Sequence, residues 1–175
     1  MTTENKIDFT KIDWDSIDFE KLQFCFKEAV EANDALINGI NKLNTKAFRL
    51  LTISVTILTA LTGFLITIWD SPGKEILANT ILCASVAFSY ITLLFIIVIF
   101  PRSISLGRAT PETLFSNNNY RQPMKKHYAD GIASYHKYIG QNRKVEAFRS
   151  GFLTAGMICF FLAPLYIIVL LFCVS

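Results

Sequence analysis

The chain has 175 residues, 52% of them apolar and 18% charged, with a net charge of +3 and a mean hydropathy of +0.39. It is too apolar for an ordinary soluble domain and too short for two. A large soluble enzyme core is excluded, because the apolar residues gather in three long blocks and leave little more than half the chain outside them.

Residues 1–16 form an acidic aromatic arm. Ile7-Asp8-Phe9, Ile12-Asp13-Trp14 and Ile17-Asp18-Phe19 recur every five residues, a spacing that fits neither helix nor strand. Residues 1–20 hold six acids and two lysines. Acids alternating with large apolar groups suit a docking segment, with Phe9, Trp14 and Phe19 as its anchors. Two readings stand. The aromatics cap the protein's own helices, or the arm rests on a basic loop further along and regulates access to it.

Over residues 17–47 the pattern becomes helical. Leu22, Phe26, Val30, Asn33, Ile37, Ile40 and Asn44 follow 3/4 spacing, with no Pro and only Gly39 to interrupt. At 1.5 Å per residue this helix projects roughly 40 Å and runs into the first apolar block.

The blocks are 48–69, 76–100 and 152–174. Each meets the roughly 20 residues that a helix needs to cross a bilayer. None holds Asp, Glu, Lys or Arg beyond its edge. A helix satisfies its own backbone in lipid, so three transmembrane helices are expected. A secretory signal peptide does not fit, because the first block lies too far into the chain and is too long. The expected fold class is an all-α polytopic membrane protein, oligomeric, with three transmembrane helices and two cytoplasmic helical extensions.

Charge orients the spans. Lys42 and Lys46 precede the first block, Arg49 stands at its edge, and only Lys74 lies in the connector before the second. Residues 101–150 carry nine Lys/Arg against three acids, a net of +6. The positive-inside rule therefore puts the N-terminus and residues 101–151 in the cytoplasm and the C-terminus outside.

Within 101–151, Pro101 ends the second span, and Gly107, Pro111 and Asn117-Asn118-Asn119 favour turns. A helix is expected from Pro123 into the third block, with Tyr128, Ile132, Tyr135 and Ile139 on one face. Basic and aromatic residues interleave along it. That mixture suits phosphates and bases, or an anionic lipid surface. Arg143, Lys144 and Arg149 stand near the span and fit the lipid reading. Arg121, Lys125, Lys126, His127 and Lys137 are the candidate ligand-binding residues.

The spans contain hydroxyls. Thr52, Thr56, Thr59 and Gly63 share a face of the first, and Ser85, Ser89 and Thr92 a face of the second. Such residues mediate helix packing in lipid or line a pore, and the first set is the candidate pore lining. Three spans cannot enclose a conduit alone, so a pore requires several copies. Pro164 is expected to kink the third helix. Cys25, Cys83, Cys159 and Cys173 have neither metal nor redox spacing and are expected to be apolar filler. No catalytic constellation, metal motif or cofactor motif is present, and no ionisable group sits mid-span, so neither an enzyme nor a transporter is expected.

The layout resembles the small three-span transmembrane effectors of bacterial anti-phage defence: the Pycsar-type and SLATT-type effectors and the membrane effector of the Hailong system. The likeness lies in the order of elements along nearly the whole chain. Locally it rests on Ile139, Asn142, Lys144 and the run from Val145 to Phe152. The resemblance implies a homo-oligomer in the bacterial inner membrane, tetrameric where it follows the Hailong effector. It implies an ion channel switched by a cyclic nucleotide or short oligonucleotide, with a nucleotidyltransferase or cyclase encoded alongside to make that signal. The alternative is a non-conducting membrane adaptor that recruits a cytoplasmic partner through its arm. A ligand-free, holin-like toxin fits less well, since it has no use for so much cytoplasmic chain.

Overall fold

The computed structural model describes residues 12–69, 71–107 and 123–174. A 3-10 turn at Trp14–Ser16 precedes three helices: α1, Phe19–Ile68; α2, Glu75–Ile99; and α3, Met124–Val174. There is no strand among the described residues, and all three helices are long and apolar enough to cross a membrane.

The helix expected over 17–47 and the first apolar block are one helix of 50 residues. No proline interrupts it, so its backbone bonds run on without a gap. It ends at Ser71-Pro72-Gly73. There the Ser71 N–H donates to the Ile68 carbonyl at 3.0 Å and the Lys74 N–H to the Ser71 carbonyl at 3.2 Å. Gly73 takes φ 80°, a left-handed conformation that a side chain would strain. At the end of α2, Phe100 turns extended (φ −51°, ψ 130°), because the ring of Pro101 crowds a helical residue before it. At the start of α3, the Pro123 carbonyl accepts from the His127 N–H at 3.1 Å. A helix start needs no N–H from proline. Pro164 lies inside α3, which continues to Val174.

The chain divides into two compact units, Met1–Asn38 with Ser103–Lys144, and Gly39–Arg102 with Val145–Ser175. In the first unit the expected faces meet. Leu22, Phe26, Val30, Asn33 and Ile37 of α1 are all buried or half-buried, as are Tyr128, Ile132, Tyr135 and Ile139 of α3. Phe26 sits edge-on to both Tyr128 and Tyr135, with centroids 5.3 and 5.6 Å away. Edge-to-face pairs at this separation add to the burial of the rings themselves. Gly131 makes room for them: a Cβ there would stand 2.6 Å from the Phe26 ring.

In the second unit α2 is the best covered element. Of its most apolar stretch 44% is buried, against 11% for α1 and 17% for α3. Phe88, Ile91, Phe95 and Val98 pack with Ala47, Leu153 and Ala163. A second cluster joins Ile68, Ala78 and Ile81. The hydroxyl face of α2 is split. Ser85 and Thr92 are buried, with the Thr92 hydroxyl 3.2 Å from that of Ser54, while Ser89 is exposed. Two cysteines also differ from expectation: Cys25 and Cys83 are exposed and fill no interior. Ile53, Val55, Phe64, Phe161 and Leu165 point outward. So continuous an apolar exterior is stable only against lipid or other copies of the chain.

Gly156 is where α3 meets the fully buried Phe95, whose ring would lie 2.6 Å from an added Cβ. Gly156→Val is expected to cost about 1–3 kcal/mol by overpacking. This will read as a lowered thermal midpoint in detergent. Gly151→Val, where a Cβ meets nothing within 4 Å, is expected to leave the midpoint in place.

Candidate functional site

Of the basic residues singled out between 121 and 137, Lys125, Lys126 and His127 lie at the start of α3. Its first turn contains no acid. Lys125, Lys126 and His127 stand where the free N–H groups of the helix already create a positive end. Lysines are poorly placed there unless negative charge compensates them. Lys125 is half-buried, and its ammonium donates to the Asp15 and Ile17 carbonyls, each at 3.0 Å. It thus holds the end of the arm by its backbone. Lys126, His127 and Lys137 are exposed. Lys126 and Lys137 lie on one face of α3, three turns or roughly 16 Å apart. The structure therefore groups Lys126 and His127, turns Lys125 to the arm, and leaves Lys137 at a distance. Arg121 lies outside the described residues.

Phe9 also lies outside them. The other two arm anchors are half-buried. The Phe19 ring meets Tyr128 edge-on at 5.5 Å, and Gln23 Nε2 donates to the Tyr128 hydroxyl at 3.4 Å. The arm's carboxylates at Asp13, Asp15 and Asp18 are exposed. Residues 12–19 thus join the first unit at the basic end of α3.

The face of Thr52, Thr56, Thr59 and Gly63 is exposed along its whole length. Each threonine hydroxyl donates to its own helix, to the Phe48, Thr52 and Val55 carbonyls at 3.0, 2.9 and 2.9 Å. The oxygens keep lone pairs as acceptors on that face. A Cβ on Gly63 would meet nothing within 4 Å.

Two buried polar centres join residues that the sequence does not link. In the first unit Asn33 and Asn142 are wholly buried. Asn142 Nδ2 donates to Asn33 Oδ1 at 2.8 Å and to the Ser105 carbonyl at 2.9 Å, and Asn142 Oδ1 accepts from the Ser105 N–H at 3.0 Å. Asn33 Nδ2 reaches the Ser105 and Leu106 carbonyls at 3.3 and 3.4 Å. Two side-chain amides thus clasp the strip that follows Pro101. The signal was an asparagine on an otherwise apolar helical face.

In the second unit Arg149 is only 2% exposed. Its Nη1 donates to Asn44 Oδ1 at 2.7 Å and its Nη2 to the Phe100 carbonyl at 3.3 Å, while its buried Nε has no acceptor. Burial, and then the charge of Arg102, lower its pKa from the usual arginine value. The Arg102 guanidinium lies 3.6 Å over the Phe148 ring. Among the described residues no group of three or more His, Cys, Asp or Glu is placed to hold a metal. Comparison with protein-family models, with curated proteins and with solved structures gives no match.

Proposed function

We propose that this protein is a membrane effector of anti-phage defence. Copies assemble into an ion-conducting pore in the bacterial inner membrane, and an anionic nucleotide or short oligonucleotide controls its opening. The arm and residues 101–151 face the cytoplasm, where a nucleotidyltransferase or cyclase supplies the signal, and the C-terminus lies outside. The protein itself catalyses no reaction.

The observation behind this reading is the contact between arm and α3. Lys125 is engaged by the arm's backbone, while Lys126 and His127 stand exposed beside it at a positive helix end. A phosphate-bearing ligand at that end competes with the arm for Lys125. It shifts a closed–open equilibrium by its differential affinity for the two states. The exposed threonine face of α1 supplies the lining once several copies surround one axis.

A second reading is a non-conducting adaptor whose arm recruits a partner. It is favoured by the threonine hydroxyls, each donating within its own helix as in a packing face.

Native mass spectrometry of the protein, purified in mild detergent from its native host, separates the two. The effector is expected as a ring of three or more subunits carrying a nucleotide-sized or oligonucleotide-sized anion. A monomer or dimer holding only lipid leaves the adaptor. Gly63→Val meets open space inside the subunit, so folding is expected to be unchanged. Its added bulk should cut bilayer conductance at least about tenfold if this face lines or closes the pore, since small residues are what let helices approach.

A further inference from the structure

A guanidinium out of water is normally matched by a carboxylate, because burying an uncompensated charge is costly. Arg149 lacks that match. Its two partners, Asn44 and the Phe100 carbonyl, are neutral, and its Nε is buried without an acceptor. Glu146, one turn back on α3, lies instead against Gly39. The charge that bears on Arg149 is a second cation, Arg102. Arg102 is exposed and held over the Phe148 ring. The two arginines are neighbours through the chain around them: Arg149 donates to the carbonyl of Phe100, two residues before Arg102, and Arg102 lies over the ring of Phe148, the residue before Arg149. Their place in the chain is equally specific. Arg102 follows the last helical residue of α2 by three positions, and Arg149 precedes the third apolar block by three. In a spanning protein that is headgroup depth.

We propose that the exposed Arg102, reinforced by the charge of the buried Arg149, forms a seat for a phosphate oxyanion, filled by the phosphodiester headgroup of an anionic phospholipid. An exposed guanidinium takes phosphate oxygens with fixed geometry and charge-assisted bonds, and an uncompensated second cation close by adds to the attraction. A headgroup phosphate supplies the missing negative charge at the depth where the pair sits. The seat is separate from the basic start of α3 and rests only on the membrane-spanning reading, not on conduction.

The test uses the full chain in detergent, mixed with equal amounts of phosphatidylglycerol and phosphatidylcholine, with bound lipid counted by native mass spectrometry. The wild type is expected to retain phosphatidylglycerol about tenfold over phosphatidylcholine, because both headgroups carry the phosphodiester but the choline cation offsets its charge beside the two arginines. Arg102→Gln and Arg149→Gln are each expected to bring retention near parity, and Lys27→Gln to preserve the preference. Arg102 is exposed, so its variant keeps the test valid even if Arg149→Gln fails to fold. A parallel arm measures thermal protection by inorganic phosphate. Protection of the wild type but not of Arg102→Gln, without lipid preference, supports the oxyanion seat and assigns it to a soluble phosphate. Equal lipid retention and equal phosphate protection in wild type and Arg102→Gln overturn the seat. Neither readout depends on current, so a non-conducting protein leaves the result intact.

Discussion

Asn142→Ala will destabilise the first unit by about 3 kcal/mol, since it leaves buried donors and acceptors without partners. The Asn142 amide joins three groups: the Asn33 amide, the Ser105 N–H and the Ser105 carbonyl. Truncation leaves Asn33 Oδ1 and the Ser105 N–H without these partners. Asn33→Ala is expected to cost less, because Asn142 keeps both its bonds to Ser105. The double variant will fall short of the sum of the singles, as it should for residues in one network. Thermal melts of the four proteins in detergent give the coupling, and limited proteolysis within residues 103–107 reports release of the strip. Additive costs, with no new cleavage there, would sink the idea that the two amides act as one clasp.

The sequence made α1 and α3 legible for a simple reason. A 3.6-residue period and a long apolar run both demand helix, and no proline separated them in α1. The start of α3 could be read because Pro123 has no N–H to lose, and the end of α2 because Pro101 restricts Phe100. Which way each residue faces was legible only where the pattern was amphipathic. Leu22 through Ile37 met their partners as the spacing required. Inside the spans every face is apolar, so sequence could not say that Thr92 turns inward and Thr52 outward, or that Cys83 is exposed. Contact with a neighbouring helix decides that.

The basic cluster shows the same limit. Counting charges found Lys125, Lys126, His127 and Lys137 but treated them as one group, because linear sequence cannot distinguish a lysine that faces solvent from one that faces the arm. Arg149 was grouped with Arg143 and Lys144 for the same reason, although it is buried and they are exposed. No pattern of residue types predicts that a guanidinium will be bonded to Asn44, more than one hundred positions away. That pairing follows from the packing of α1 on α3.

The split between Lys125 and its neighbour allows arm and ligand to be tested apart. Lys125→Met keeps the apolar stem and removes the ammonium, so the Asp15 and Ile17 carbonyls lose their donor. The arm is then expected to detach roughly tenfold more often, the effect of losing about 1.4 kcal/mol of charge-assisted bonding. Cleavage near Trp14 by an aromatic-specific protease will rise and, on the proposed pore reading, gating will change without ligand. Lys126→Glu touches neither carbonyl, so arm protection should stay at wild-type level. On the proposed nucleotide control, reversing that exposed charge is instead expected to raise the nucleotide concentration needed for response at least about tenfold, with the gap narrowing as salt screens it. The same proposal requires that reversing both lysines abolish ligand control without disrupting assembly. If Lys125→Met frees the arm but the response of Lys126→Glu is unchanged, the arm contact stands and the ligand binds elsewhere. If neither variant alters response or cleavage, the junction of arm and α3 is a packing contact, and the proposed control through it falls.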